Sequence, residues 1–586
     1  MQSVSLSSLL PLLLLTLPVS SVSSSPDWLS LNQTVGGRLH VGVPFSQPCF
    51  SYKTGGVQNI PNSEECSEIQ AHNEDHPFRS EQFGAYGITQ WETCQTTGDE
   101  CLLDWVDPLN PKAFSSPAQC RQGSVPDYYI DVEGPSDVVE AFTFSEVNEV
   151  PLVIKNSGHD YIGRSAGPGS LALWMRNLDK LVLDQAFIPA GCPDSSAPAT
   201  AITIGAGQKF RAIYDFAAAN NVTVVGGADT TVGMSGGWTM GGGHSALSPA
   251  LGLGVDRVLE FKIVTPDGKY RIANRCQNQD LFFALRGGGG GTFGVVFQST
   301  HLTSPQRPVQ ALLGLYNATQ ENSAKLIKAL AKTAVQMASD GWGGYITPSL
   351  SSAVWVNPLL DREDAENSGS GTVAAFESVG GTTVFFTMDT FKEFFDTFIA
   401  PNLDQVGRPQ VMASRLIPAD KFSDDTLIDA LTAKLLESDF GQILAVTPFA
   451  FKDYEPEGTS IHPGWRNAVW HTLMSYSWNF NSTLAERIDT YKRLQKEWAV
   501  VRERTPGAAV YFNEADVYEP NYIEAFWGSS NYEKLLAIKE KYDPNHILDC
   551  WYCVGWKGAR DSRYKCYPNI TSEQQSTDSG HIVDEL

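Results

Sequence analysis

Three glycine-rich loops, each following a predicted strand or helix, constrain this chain more than any other feature. The first is Asn156-Ser-Gly-His-Asp-Tyr-Ile-Gly-Arg-Ser165. The second runs from Gly226 to Gly237 and continues through Gly241-Gly-Gly-His244. The third is Arg286, the run Gly287 to Gly291, then Thr292, Phe293 and Gly294. Glycine lets main-chain N–H groups approach a ligand, and successive N–H groups form anion-binding nests. One such loop reads as a tight turn. Three in succession suit a diphosphate joined to a flat ring. No G-x-G-x-x-G follows a strand and opens a helix with an acidic residue about 20 positions on, which disfavours a nicotinamide dinucleotide. No Gly-Lys-Ser/Thr element is present, which removes a Walker A loop.

The chain has 586 residues, 42% of them hydrophobic, enough for two or three domains with full cores. Leu9 to Leu17 is leucine-rich and small residues follow to Ser25, so residues 1–25 read as a secretory signal peptide without an n-region Lys or Arg. That run is too short to span a bilayer, and no later segment is apolar enough, so no membrane partner is expected. Export changes how the ten cysteines are read: an even number in an oxidising compartment favours disulfides, with the pairing left open. Cys550-x-x-Cys553 lacks a second ligand pair at zinc spacing and a surrounding βαβ unit, so no metal site is expected. Sequons at Asn32, Asn221, Asn317, Asn481 and Asn569 are candidate N-glycan sites. The formal charge of -24, without a basic stripe, argues against a nucleic-acid partner. The chain ends Val583-Asp-Glu-Leu586, similar to an ER-retention tetrapeptide but without its usual first residue, so secretion is expected in preference to retention in the ER lumen.

The patterning is α+β. Residues 26–121 hold five cysteines among polar, Gly- and Pro-rich sequence and read as a disulfide-pinned extension. Within 122–304, Ser136 and Asp137 can cap a helix reaching Asn148, with Val139, Phe142 and Val147 on one face. Pro151 stops it, and Leu152–Lys155 is a buried strand. Phe210, Ile213, Tyr214 and Ala217 give an amphipathic helix, followed by a strand over Val222–Val225. Leu259–Thr265 reads as a strand, Pro266-Asp-Gly268 as a hairpin turn and Asp280–Leu285 as a helix. Residues 305–505 alternate helices near 321–338, 390–399, 424–437 and 482–504 with β-rich stretches at 343–356, 442–451 and 469–478. This predicts a sheet covered by helices, a substrate domain. The aromatic segment 506–586 is expected to return to the first domain.

The segment Lys155 to Ser165 closely resembles the pyrophosphate loop of the vanillyl-alcohol oxidase/berberine-bridge flavoproteins. Val224 to Leu253 resembles their second FAD loop, Asp280 to Val296 their third, and Tyr542-Asp-Pro-Asn-His-Ile-Leu548 their C-terminal signature. The resemblance covers 125–303 and 506–556, and is greatest to a secreted fungal branch that includes isoamyl alcohol oxidases. It implies a two-subdomain PCMH-type FAD-binding domain plus an α+β substrate domain. It implies FAD bonded through its 8α-methyl group to His159. Ser157, Gly158, Asp160, Gly163, Arg164 and Ser165 would then hold the diphosphate. Further contacts would come from Gly226, Asp229, Thr230, Thr231, Val232, Gly233, Ser235, Gly236, Gly237, Gly242, Gly243 and His244, from Gly294, Val295 and Val296, and from Asn545. Some relatives add a cysteinyl bond from the second loop. Asp229 stands there, so a single covalent link is expected.

Read as a strand, Ala508 to Asp516 puts Tyr511 and Asn513 on one face and Glu514 on the other. Relatives of this type often bring an aromatic and an amide from here to the substrate. Tyr511 could take a proton if neighbouring charge lowered its pKa; it reads equally well as a buried tyrosine with one hydrogen bond, and Glu514 and Asp516 are alternative bases. The expected reaction removes two electrons from a small alcohol or related hydroxyl compound and passes them through the flavin to O2, giving H2O2. A carbohydrate oxidase, a biosynthetic oxidase forming a C–C bond or ring, and a secreted glycoprotein with a degenerate flavin site are the alternatives.

Overall fold

The computed structural model describes residues 25–455 and 458–570. All but the last residue of the expected leader, and the C-terminal tetrapeptide, lie outside the described residues. Three sheets carry the fold. The first has four strands in the order Leu39–Val41, Tyr128–Asp131, Leu171–Trp174, Leu152–Lys155. The last three run parallel and the first pairs antiparallel. Leu171–Trp174 is buried throughout, as an interior parallel strand should be. Helix Pro135–Asn148 packs over it. The buried face is Val138, Ala141, Phe142 and Ser145, while Val147, expected inward, is 75% exposed. Asp137 fixes that phase: its Oδ2 accepts from the amides of Glu133 and Gly134 and ties the first turn to the preceding loop.

The second sheet is antiparallel: Tyr270–Asn274, Val258–Val264, Val295–Leu302, Ala199–Gly205, Leu181–Phe187. Helix Phe210–Ala219 buries Phe210, Ile213, Tyr214 and Ala217, the predicted face. The strand expected over Val222–Val225 is cut to Val222–Thr223, paired with Ser304–Pro305; beyond it the backbone peels away into the second glycine loop.

The third sheet has seven antiparallel strands in the order Thr382–Met388, Val309–Leu315, Ser352–Asn357, Gly343–Thr347, Phe440–Ala445, Ala468–Tyr476, Val411–Pro418. One face carries a row of helices: Arg362–Glu377, Gln320–Ser339, Asp425–Glu437 and Leu484–Arg504. The first was not anticipated, because Ser368-Gly-Ser-Gly-Thr372 reads as a loop. The glycine serves close approach instead: a Cβ on Gly369 would come 2.7 Å from the Phe385 ring on the underlying strand. The helix expected at 390–399 is a short α-helix, Phe391–Phe394, continued by a π turn, Phe395–Ile399.

Period-two alternation sends Ile346, Ala353, Trp355 and Ile443 under the helices. It sends Tyr345, Thr347, Val354, Gln442, Leu444 and Leu473 to the opposite face, toward the second glycine loop. Five disulfides close the described chain: Cys49–Cys66, Cys94–Cys566, Cys101–Cys120, Cys192–Cys276 and Cys550–Cys553. They fit an oxidising compartment. No helix of the described residues is long and apolar enough to cross a membrane.

Candidate active site

The three glycine loops meet around one slot, between the first sheet, the second sheet and the returning C-terminal segment. Bare backbone walls much of it. Gly237 and Gly291 both line the slot, and a Cβ on Gly237 would meet nothing within 4 Å, while one on Gly291 would graze only Ile154 at 4.0 Å. The buried Arg164 Nε and Trp238 Nε1 lack protein partners. An elongated cavity edged with free glycine backbone, unpartnered N–H donors and one arginine fits a dinucleotide bearing a flat ring.

Most residues expected at the cofactor line this slot: Ser157, Gly158, His159, Asp160, Arg164 and Ser165; Val232, Gly233, Ser235, Gly236 and Gly237; Gly294 and Val296. Others shape its walls. Asp160 accepts from the amides of Ile162, Gly163 and Ser165 and from the Ser165 hydroxyl, so its carboxylate folds the loop. Gly163 packs on Trp91, whose ring a Cβ would meet at 2.4 Å. Gly226 packs on Phe210 and Tyr214, Gly242 beside Tyr511, and Gly243 on Trp238. Thr230 faces an outer crevice. Val295 points into the core behind the slot, since adjacent strand residues face opposite ways. Asn545 is exposed and donates to Glu146. His546, at φ 50°, turns the chain after it, so Leu548, Asp549 and Cys550 reach the slot in its place.

Beside the slot lies a chamber under the open face of the seven-stranded sheet. His159, Asp160, Tyr161, Val232, Trp238 and Glu514 border both. The strand expected over Ala508–Asp516 is absent. The Val510 amide bonds Ala525 instead of a sheet partner, and Phe512–Glu514 is a single 3-10 turn closed by Glu514 N to Tyr511 O. Side chains three apart eclipse in such a turn, so Glu514 joins Tyr511 and Asn513 rather than facing away. Asn513 donates to the Tyr511 hydroxyl at 2.8 Å. Burial, then the Glu514 charge, pushes that hydroxyl well above the usual tyrosine range, a poor setting for a phenolate base.

Glu514 is held differently. Its Oε1 lies 3.0 Å from His244 Nε2 and its Oε2 2.7 Å from His471 Nε2. Burial alone would raise the carboxyl, but the two imidazoles hold it well below the usual range. His471 itself is lowered, by burial first, against the opposing pull of Glu514. Asp516 is elsewhere, in the core 3.8 Å from Arg502, accepting from Tyr518 N; burial pushes it up to about 6. His471 was missed, and its only signal was a lone histidine in the apolar run Ala468–Tyr476.

A second cluster surrounds His159. Its Nε2 lies 2.6 Å from Thr231 Oγ1 and 3.5 Å from Asp229 Oδ1, and Asp229 Oδ2 lies 2.6 Å from Nδ1 of His76. His76 comes from the cysteine-rich extension, which sequence reasoning had left without a functional part. In both clusters, three metal-type donor atoms lie within 4.8 Å of one another, and the members already pair among themselves.

Comparison with known proteins matches these features. Residues 126–274 match the family model of an FAD-binding domain, and residues 510–549 the model described as berberine and berberine like. The chain is 39% identical to the FAD-linked oxidoreductase ffsJ of Aspergillus flavipes, over 93% of this chain and 94% of that protein. It is 37% identical to the FAD-linked oxidoreductase cheF of Chaetomium globosum, over 93% and 88%. Among solved structures, the VAO-type flavoprotein MtVAO615 of Myceliophthora thermophila superposes with a TM-score of 0.78 at 27% identity, covering 92% of this chain and 97% of that one. The fold is therefore the two-subdomain flavin-binding domain with an α+β partner that the sequence resemblance implied. The chain belongs to the FAD-linked oxidoreductases of the vanillyl-alcohol oxidase/berberine-bridge family and is itself an FAD-dependent oxidoreductase.

Proposed function

We propose that this oxidoreductase carries FAD attached through His159 and oxidises a CH–OH group of a small alcohol or other hydroxyl-bearing substrate, with O2 as acceptor and H2O2 as product. The observation that carries the reading is Glu514, an ionised carboxylate between two histidines where slot and chamber join. FAD supplies two-electron chemistry when bound; the protein must bind, orient and manage the proton. Ser157, Gly158, Arg164 and Ser165 would hold the diphosphate, with Gly233, Gly236, Gly237 and Gly291 along the ring. Glu514, hydrogen-bonded to His244 and His471, takes the hydroxyl proton, and Tyr511 with Asn513 shapes the site.

Ile88, Val354, Met412, Leu444 and Leu473 give the chamber an apolar part that fits the carbon skeleton of an alcohol, and polar groups stand on the same wall, among them Tyr345, Thr347, Ser352 and Gln442. No lysine or arginine of the described residues lines it, while Asp404 and Glu514 do, so a carboxylate-bearing substrate is disfavoured. The leader, the sequons and the division at 121, 304 and 505 belong to the same reading of a secreted glycoprotein with its substrate domain between the two flavin-binding segments. The test is the purified secreted protein. Its visible spectrum should show a flavin that stays with acid-precipitated protein, and peroxide should appear with small alcohols before mono- or oligosaccharides. A colourless folded protein refutes the flavin reading; turnover of sugars alone refutes the substrate class.

A further inference from the structure

His159 is linked to Asp229 through hydrogen bonds whose direction can be read, and Asp229 is in turn ion-paired with His76 of the extension. Thr231 donates both its amide and its hydroxyl to Asp229 Oδ1, at 2.7 and 2.8 Å. A hydroxyl has one proton, so Thr231 Oγ1 can only accept from His159 Nε2, 2.6 Å away. The ring proton of His159 is therefore on Nε2, and the lone pair is on Nδ1. Gly87 lies on that side, where a Cβ would come 3.6 Å from Nδ1. The charges agree. Burial would raise Asp229, but His159, His76 and the Thr231 amide hold it well below the usual range. Burial pulls His76 down, and Asp229 more than restores it. Burial lowers His159, against the opposing pull of Asp229.

We propose that Asp229, backed by His76 and linked through Thr231, fixes the tautomer of His159 and, as a carboxylate, offsets the positive charge its ring gains when the flavin is attached. The cysteine-rich extension thereby completes the attachment site. The proposal rests on the covalent reading above. The bond that forms joins Nδ1 to the carbon of the ring methyl group. One methyl C–H and the Nε2–H break, two electrons enter the ring, and O2 takes those electrons with the two protons as H2O2. His76 also borders an outer crevice with Glu74, Glu81, Lys209 and Asp404, through which a proton reaches solvent. Where some relatives place a cysteine for a second flavin bond, this chain places a carboxylate that supports the first.

The test uses full-length secreted protein and FAD itself as the probe. Wild type, Asp229→Asn, His76→Gln, Thr231→Val and Thr231→Ser are precipitated in acid, and flavin is measured in pellet and supernatant. Melting temperature and total flavin are followed alongside. Asp229→Asn and Thr231→Val should lose tenfold or more of the covalent fraction, with most flavin moving to the supernatant. His76→Gln should lose less, and Thr231→Ser, which keeps the hydroxyl, should match wild type. Full covalent loading in Asp229→Asn and Thr231→Val overturns the proposal, as does equal loss in Thr231→Val and Thr231→Ser. If Asp229→Asn does not fold, the Thr231 pair decides alone. Wild-type flavin that washes out in acid refutes the attachment reading itself, a separate outcome.

Discussion

Glu514→Gln is the sharpest probe of the proposed chemistry, because it keeps shape and removes charge. The wild-type carboxylate accepts from Nε2 of both His244 and His471. Glutamine can accept from one and must donate to the other, so one imidazole has to move its proton to Nδ1. Both Nδ1 atoms are buried without a partner, so that tautomer leaves a donor unsatisfied at a cost of about 1–3 kcal/mol in stability. The effect on rate should be larger. A positioned acid–base group contributes roughly 10²–10⁴-fold, or about 3–5 kcal/mol at 1.36 kcal/mol per decade. Reduction of the flavin by substrate in anaerobic stopped flow should slow by that factor while the flavin spectrum persists. Reduction within threefold of wild type refutes Glu514 as part of the base. The pH dependence has a definite sign. His471 is lowered, so its group becomes preloaded with a proton only below the ordinary histidine value of about 6.5, and the acid limb of kcat/KM should lie below it. Because Glu514 is depressed, its contribution to stability is present above about pH 4.3 and fades only as pH falls through the lower folded value. Melting temperature should owe nothing to Glu514 titration between roughly pH 5 and 8.

Tyr511→Phe should leave flavin reduction near wild type and cost about 0.5–1.5 kcal/mol for the lost Asn513 bond; a hundredfold slower reduction would restore Tyr511 as the base. Replacing Cys94 and Cys566 together by serine should destabilise by about 2–5 kcal/mol, read in urea melts, since that bridge spans 472 residues. Gly289→Ala should abolish folding or flavin loading, because Gly289 has φ +101° and the new methyl would lie 2.4 Å from Phe512; a normally loaded variant refutes the close approach. Glycopeptide mass spectrometry should find occupancy at the exposed Asn221, Asn317, Asn481 and Asn569, and least at the half-buried Asn32, whose side chain accepts from Leu39 N.

What was legible in the sequence was whatever repeats locally. Phe210, Ile213, Tyr214 and Ala217 announce a helix face because burial needs that spacing, and the glycine loops announce a slot because bare backbone lets a ligand come close to main-chain N–H groups. Short irregular turns gave no such signal. Tyr511 to Glu514 looks like alternation, yet the Glu514 amide bonds back to Tyr511 and the preceding Val510 amide bonds Ala525, and the period becomes three. Gly369 and Gly371 hid a helix because interior glycine reads as a breaker unless the strand beneath is known. His76 and His471 were invisible as site residues because each joins its cluster from a distant segment, 153 and 43 positions from the carboxylates they pair with, Asp229 and Glu514.

The Cys94–Cys566 bridge also has a consequence in time. At about 5–20 residues per second, the ribosome delivers the partner of Cys94 on the order of half a minute or more after Cys94 itself. Throughout that interval Cys101 and Cys120 are at hand, and their own bridge closes only a 19-residue span. Cys94 must remain a thiol, or be returned to one, while its neighbours oxidise. The yield of folded protein should therefore depend on disulfide isomerase capacity more than on oxidant supply.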